Sequence, residues 1–195
     1  MYRELQTFRF TEPQKYIVNT PASGVVRLQF PIEVNGPVEE FIWFIRRKGV
    51  AINNEWTNYS NRLESEIFAP NSDIYYPLQS MLVSATIQVN GITLIEAEGE
   101  HFRRQIAKHH RGGLVAYNAF VYGYCFAERP GQQNPSGWMN ASRSTDVRIR
   151  MDIRPPPPDA NETEGITMEF EVCIFSLAMN WVRFQNGIVN KVFSS

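Results

Sequence analysis

The chain has 195 residues, 43% apolar and 13% aromatic, a composition that suits one globular domain with a real core and excludes a disordered chain. With 19 basic and 20 acidic residues the formal net charge is −1, which excludes the basic footprint of a direct nucleic-acid binder. No run approaches the roughly 18 apolar residues of a membrane span. Met1-Tyr2-Arg3-Glu4-Leu5 has no apolar signal core, so a soluble protein made in the cytosol, with no transmembrane segment, is expected.

Residues 1–22 show little periodicity and carry breaks at Thr11-Glu12-Pro13 and Thr20-Pro21. They are expected to form an N-terminal arm, a linker or an extra edge strand ahead of a main domain spanning 23–195. Val26, Leu28, Phe30 and Ile32 then alternate with Arg27, Gln29 and Pro31, the period of a half-buried strand, and Pro31 marks an edge or a strand end. The run Phe41-Ile42-Trp43-Phe44-Ile45 is apolar on both faces, so cover is expected on both sides, from within the domain or from a neighbour.

Two strands within 81–96 flank Asn90-Gly91, and the tolerance of both positions for positive φ predicts a type I′ hairpin. The one helical candidate is Glu98 to His109, where Phe102 and Ile106 stand four apart, with Gly99 and Gly112-Gly113 expected to hold it to a turn or two. Phe120, Tyr122, Tyr124 and Phe126 alternate with Val121, Gly123 and Cys125, the pattern expected of a central strand. Val147, Ile149, Met151 and Ile153 alternate with Arg148, Arg150 and Asp152, until Pro155-Pro156-Pro157-Pro158 stops the pairing because proline has no N–H to donate. A further strand carries Ile166, Met168, Phe170, Val172 and Ile174 on one face, and the last, Trp181 to Phe193, turns at Asn186-Gly187. The sum is an all-β chain of about eight strands with long, uneven loops and no internal repeat, which predicts a single antiparallel sandwich or jelly roll.

Chemistry-bearing patterns are sparse. Of the three histidines, His101, His109 and His110, none forms the His-x-His pair of a metal-binding jelly roll. Adjacent residues on a strand point to opposite faces, so His109-His110 reads as part of a solvated basic cluster with Arg103, Arg104, Lys108 and Arg111, or as a contact for an acidic neighbouring surface. Glu64, Glu66, Glu96, Glu98 and Glu100 read as solvated carboxylates in loops or at strand ends. Phosphate loops, nucleophile elbows and Cys-x-x-Cys motifs are missing, so no catalytic residue, metal or cofactor is expected. Cys125 and Cys173 lie in apolar runs, where a thiol behaves as a small hydrophobe, and no disulfide is expected. The sequons at Asn58, Asn140 and Asn161 read as ordinary loop asparagines.

Several segments together resemble the major capsid proteins of the nucleocytoplasmic large DNA viruses, the family of iridovirus, phycodnavirus, asfarvirus and faustovirus capsomers. They are Pro37-Val38-Glu39-Glu40-Phe41-Ile42-Trp43-Phe44-Ile45 with the trailing Asn54-Glu55-Trp56-Thr57-Asn58-Tyr59-Ser60, the hairpin around Asn90-Gly91, and Asn180 to Gly187. The most specific is Tyr122 to Arg143, which contains Asn134-Pro135-Ser136-Gly137 followed by Asn140, Ser142 and Arg143. The residues alone give Asn134 to Gly137 the preferences of a type I turn, let Asn140 and Ser142 bond local backbone, and give Arg143 a fork for carbonyls or a carboxylate. These positions read as structural, together with Trp43 and Trp56.

The match is to the second, C-terminal jelly roll of a double jelly roll, and it covers the chain from about Val25 onward. The resemblance implies a structural virion protein, assembled in the host cytoplasm, that tiles an icosahedral shell as a trimeric pseudo-hexagonal capsomer. Its implied partners are other capsid subunits, minor capsid proteins and a separate chain supplying the first jelly roll, without direct nucleic-acid contact. The rival readings are a lectin-like or receptor-binding module using Trp56, Tyr59 or Trp138, and a metal-dependent cupin enzyme.

Overall fold

The computed structural model describes residues 1–15, 25–51, 54–62, 75, 77–110, 112–115, 120–132, 134–154 and 167–192. The strands are β1 (Tyr2–Lys15), β2 (Val26–Pro31), β3 (Pro37–Arg47), β4 (Leu82–Val89), β5 (Ile92–Glu98), β6 (Val121–Cys125), β7 (Met139–Asn140), β8 (Val147–Ile153), β9 (Thr167–Asn180), β10 (Val182–Gln185) and β11 (Ile188–Lys191). A single α-helix among the described residues, α1 (Gly99–His110), stands between β5 and β6. One sheet runs β1-β9-β3-β6, with the short β7 added beside β3, and the other runs β2-β8-β4-β5. Every pairing is antiparallel. Setting the two-residue β7 aside, the eight strands that remain in the two sheets, exchanged in this order, make a jelly roll.

The eight are not the eight counted from periodicity. The sandwich includes Tyr2–Lys15, paired residue for residue with β9 from Tyr2↔Asn180 to Lys15↔Thr167, whereas the C-terminal hairpin β10-β11 stands outside both sheets. The opening residues are thus an edge strand. Phe8 and Phe10 turn inward, and the Phe10 ring meets Phe30 of the opposite sheet at 4.9 Å.

Alternation places the core as the sequence predicts. Val147, Ile149, Met151 and Ile153 of β8 and Phe170, Val172 and Ile174 of β9 are buried between the sheets with Phe30, Phe41, Trp43 and Ile45. The outer face of β3 is covered from within the domain, because Tyr59 stacks on Phe44 at 4.3 Å. Asn90 and Gly91 take φ of 51° and 79°, the type I′ signature, and Pro31 ends β2 on a sheet edge. The Pro155 to Pro158 run, Asn161, Glu64 and Glu66 lie outside the described residues.

Two expectations need correction. The helix has 12 residues rather than a turn or two. Gly99 is there for space and not as a breaker, since a Cβ would sit 2.6 Å from the Leu82 carbonyl oxygen. Glu100 pairs with Arg103 and Arg104 one turn on, and Lys108, His109 and His110 place positive or polar groups at the end of the helix dipole that favours them. The second correction concerns β6, which pairs only with β3 among the described residues and is an edge strand rather than a central one. Its aromatic face turns into the core, where Tyr122 meets Trp43 at 6.2 Å, and α1 covers the opposite face at Gly123. Ile106 approaches Gly123 so closely that a Cβ there would meet its Cδ1 at 2.3 Å, and Phe102 packs on Trp43 at 5.1 Å.

Candidate functional site

The segment after β6 works as a set of clamps on β3. Phe126 and Ala127 donate their N–H groups to the Glu39 carbonyl at 2.8 and 3.2 Å, and the Arg129 N–H donates to Ser136 Oγ at 2.7 Å. Asn134 and Pro135 are exposed, and Gly137 has φ of 151° with the Phe126 carbonyl 2.9 Å from where a Cβ would be. Met139 and Asn140 then pair with Val38 and Pro37. The Ala141 N–H donates to the Gly36 carbonyl, and Ser142 Oγ accepts the Gly36 N–H, both at 2.9 Å. Gly36 is therefore held from both of its backbone groups just before β3 begins.

This differs in detail from the local bonding expected. Ser142 reaches backbone 106 positions away. The Asn140 side chain makes no capping bond, and Arg143 is exposed. Asn90 makes a second clamp, its Oδ1 accepting the N–H groups of Thr145 and Asp146 at 2.9 and 3.3 Å and its own N–H donating to the Asp146 carbonyl at 2.7 Å. Trp43 is fully buried against Tyr122 and Phe102. Trp56 is exposed, its Nε1–H donating to Asn54 Oδ1 at 2.7 Å with the Arg46 guanidinium 5.9 Å from its ring. Trp138 is exposed as well, but on a separate stretch of chain.

Two buried carboxylates escaped the sequence reading. Glu39 and Glu40, at 0% and 1% exposure, follow one another where β3 shifts register against β9. Glu39 receives Arg3 Nε of β1 at 2.8 Å, while Arg3 also donates to the Gln132 carbonyl. Glu40 takes His110 Nε2 at 2.8 Å and the Cys125 thiol at 3.4 Å. The available signal was a pair of acids opening an otherwise apolar strand. His110 therefore docks inside its own domain rather than in a solvated cluster, and Arg103 lays its guanidinium 4.9 Å from the Phe120 ring.

Cys125, Glu40 and His110 are a nucleophile, an acid and a base in contact, but their order does not suit catalysis. The carboxylate lies between thiol and imidazole, and burial together with Glu40 pushes the Cys125 thiol far up, against the thiolate form that a nucleophile uses. Among the described residues no three His, Cys, Asp or Glu side chains are placed to hold a metal ion. Cys125 and Cys173 are free thiols.

Such a site, in which the distinctive residues join strands and bury charges, belongs to a structural jelly roll. The sequence model of the family described as large eukaryotic DNA virus major capsid protein matches residues 25–190, and the chain belongs to that family. Solved structures agree on the fold. The quasi-atomic model of the PBCV-1 virus capsid is 17% identical with a TM-score of 0.65 over 100% of this chain and 52% of that one. PBCV-1 VP54, fitted into a reconstruction of the virophage Sputnik, is 17% identical with a TM-score of 0.63, again over 100% and 52%. The Faustovirus major capsid protein is 14% identical with a TM-score of 0.58, over 99% of this chain and 34% of that one. This chain thus spans about half the length of the PBCV-1 chains it matches, 52%. No curated protein matches it. No helix among the described residues is long and apolar enough to cross a membrane.

Proposed function

We propose that this chain is a non-enzymatic building block of a large DNA virus shell, contributing a jelly roll of the second, C-terminal kind to a trimeric pseudo-hexagonal capsomer. The observation that carries this reading is the family match over 25–190, joined to a segment whose Ser136, Gly137 and Ser142 serve strand closure rather than chemistry. Its binding energy comes from apolar surface and polar rims between subunits, as in other protein interfaces. The partners are other capsid subunits, a jelly roll of the first kind and minor capsid proteins, and the place of action is the virion, assembled in the host cytoplasm. Co-expression with a chain carrying a first jelly roll, followed by light scattering on the purified complex and electron microscopy, tests it. Pseudo-hexagonal particles are expected, and a chain that ignores that partner and never enters particles overturns it.

A further inference from the structure

Among the described residues, an apolar hairpin pairs with no other strand, and an acidic strand has one edge without a partner. β10 and β11 pair only with each other among the described residues, through Val182↔Lys191, Arg183↔Asn190, Phe184↔Val189 and Gln185↔Ile188. Cross-strand partners share a face, so Phe184 and Val189 lie side by side on one surface, and they are 77% and 58% exposed. A lone two-stranded hairpin is marginal in water and needs a third strand or a packing surface. Here the visible support is at the base, where Lys191 Nζ meets Glu4 at 2.9 Å and the Val192 N–H bonds the Trp181 carbonyl at 2.9 Å.

β5 presents the complementary features. It closes its sheet, pairing with β4 on one side and with no described strand on the other. Ile95 and Ala97 face the core, leaving Leu94, Glu96 and Glu98 outside with Leu94 45% exposed, while the bulge after Ile87 turns Ile92 to the side of its partner Val89. Open strand edges with apolar residues are templates for another strand. The charges match in sign, since β5 carries Glu96 and Glu98 without a base while the hairpin carries Arg183 and Lys191 without an acid. Lys191 is engaged by Glu4, which leaves Arg183 as the hairpin's cation for a neighbour's Glu98.

The geometry points to a head-to-tail contact between copies of this chain, in which the β10-β11 hairpin of one copy adds to the free edge of β5 on the next. Phe184 and Val189 cover Leu94, and Arg183 meets Glu98. The two patches are different surfaces of one molecule, so the contact is heterologous and generates a closed ring or a chain of copies. It rests on the shell-subunit reading and specifies how one copy holds the next.

Sedimentation of the purified chain over a concentration series tests it, with Phe184→Asp and Leu94→Asp as variants. The wild type is expected to self-associate, and each variant to weaken association at least tenfold while keeping the wild-type circular dichroism spectrum. Mixing the two variants is the decisive arm. Phe184→Asp keeps its β5 edge and Leu94→Asp keeps its hairpin, so the mixture forms one-to-one dimers and stops there. Arg183→Glu mixed with Glu98→Arg restores both contacts by charge, so each variant alone stays weak while the mixture associates in alternating order beyond the dimer, which guards against a misfolded aspartate variant. A wild type that associates equally with or without Phe184, or variant mixtures that stay monomeric, overturn this contact and leave the shell reading intact. A wild type that stays monomeric at every concentration overturns the contact, and the shell reading falls separately only if co-expression also yields no particles.

Discussion

His110 Nε2 lies 2.8 Å from the Glu40 carboxylate, joining the end of α1 to the first half of β3 across 70 positions of sequence. Glu40 is nearly inaccessible while His110 is about one-third exposed, so the imidazole brings a solvated polar group to a carboxylate that water cannot reach. Removing one partner of such a contact leaves the buried group short of a bond. His110→Ala is expected to cost about 1–3 kcal/mol in urea unfolding, and Glu40→Gln in the same background to recover part of it, because a neutral amide is cheaper to bury than an unpaired charge. Equal loss in the single and double variants would show that the contact carries no coupling.

The Gly36 clamp gives a second expectation. Ser142→Ala removes the acceptor for a buried N–H at the start of β3 and is expected to lower stability by about 1–2 kcal/mol. Gly137→Ala is expected to cost at least as much, because φ of 151° disfavours any side chain and its Cβ would press on the Phe126 carbonyl at 2.9 Å. Arg143→Ala, on an exposed side chain just past Ser142, the clamp's last member, is expected to change stability by less than about 0.5 kcal/mol. Thermal unfolding of the three variants ranks them, and an Arg143 effect as large as that of Ser142 would contradict the clamp geometry.

These contrasts show what periodicity can and cannot report. The inward faces of β2, β8 and β9 were legible because a buried strand must alternate, and Asn90-Gly91 because few residue pairs accept two positive φ values. β1 was not legible as part of the sandwich. Its inward Phe8 and Phe10 alternate with Thr7, Arg9 and Thr11 over too short a stretch to stand out from an arm. β6 was read as central because Tyr122 and Tyr124 signal burial against the core without saying whether a second strand pairs along the far edge. The Asn134 to Arg143 segment was recognisable as a pattern, but its partners, Gly36, Pro37 and Val38, lie about a hundred residues upstream and no local rule reaches them. The buried Glu39 and Glu40 were hidden for the same reason, since Arg3 and His110 become their neighbours only when the sheets close.

Acid should weaken the sandwich through its second sheet. The Asp152 carboxyl is held below the usual carboxylate range, first by hydrogen bonds from Arg27 at 2.7 and 2.9 Å and then by Ser84 at 3.2 Å. Glu4 is held low in the same way by Lys191 and Asn180. A carboxyl whose pKa is lower folded than unfolded adds stability above its unfolded value, and that stability is lost as pH falls through the folded value. Urea midpoints are therefore expected to stay level from neutral pH to about pH 5 and then drop toward about pH 3, with Asp152→Asn starting lower and dropping less steeply. A profile that Asp152→Asn leaves parallel to the wild type would remove this group from the acid limb.

Trp43 offers the sharpest test of how the core is built. Its ring is fully buried between Phe102 at 5.1 Å and Tyr122 at 6.2 Å, and its Nε1 finds no hydrogen-bond partner among the described residues. Truncation to Ala removes one of the largest buried side chains and is expected to cost about 3–5 kcal/mol. Phe keeps most of the packing and also removes a buried N–H that the fold leaves unbonded, so Trp43→Phe is expected to cost less than about 1.5 kcal/mol. The neighbouring Tyr122 hydroxyl is bonded to Ser80 Oγ at 2.5 Å, and burial pushes its pKa up to about 12. Tyr122→Phe removes a bonded hydroxyl and leaves Ser80 without that partner, so it should cost more per atom removed than Trp43→Phe. Reversal of that order in calorimetry would mean that Trp43 Nε1 has a partner, such as a buried water, and that its position is set by polar contact rather than by packing.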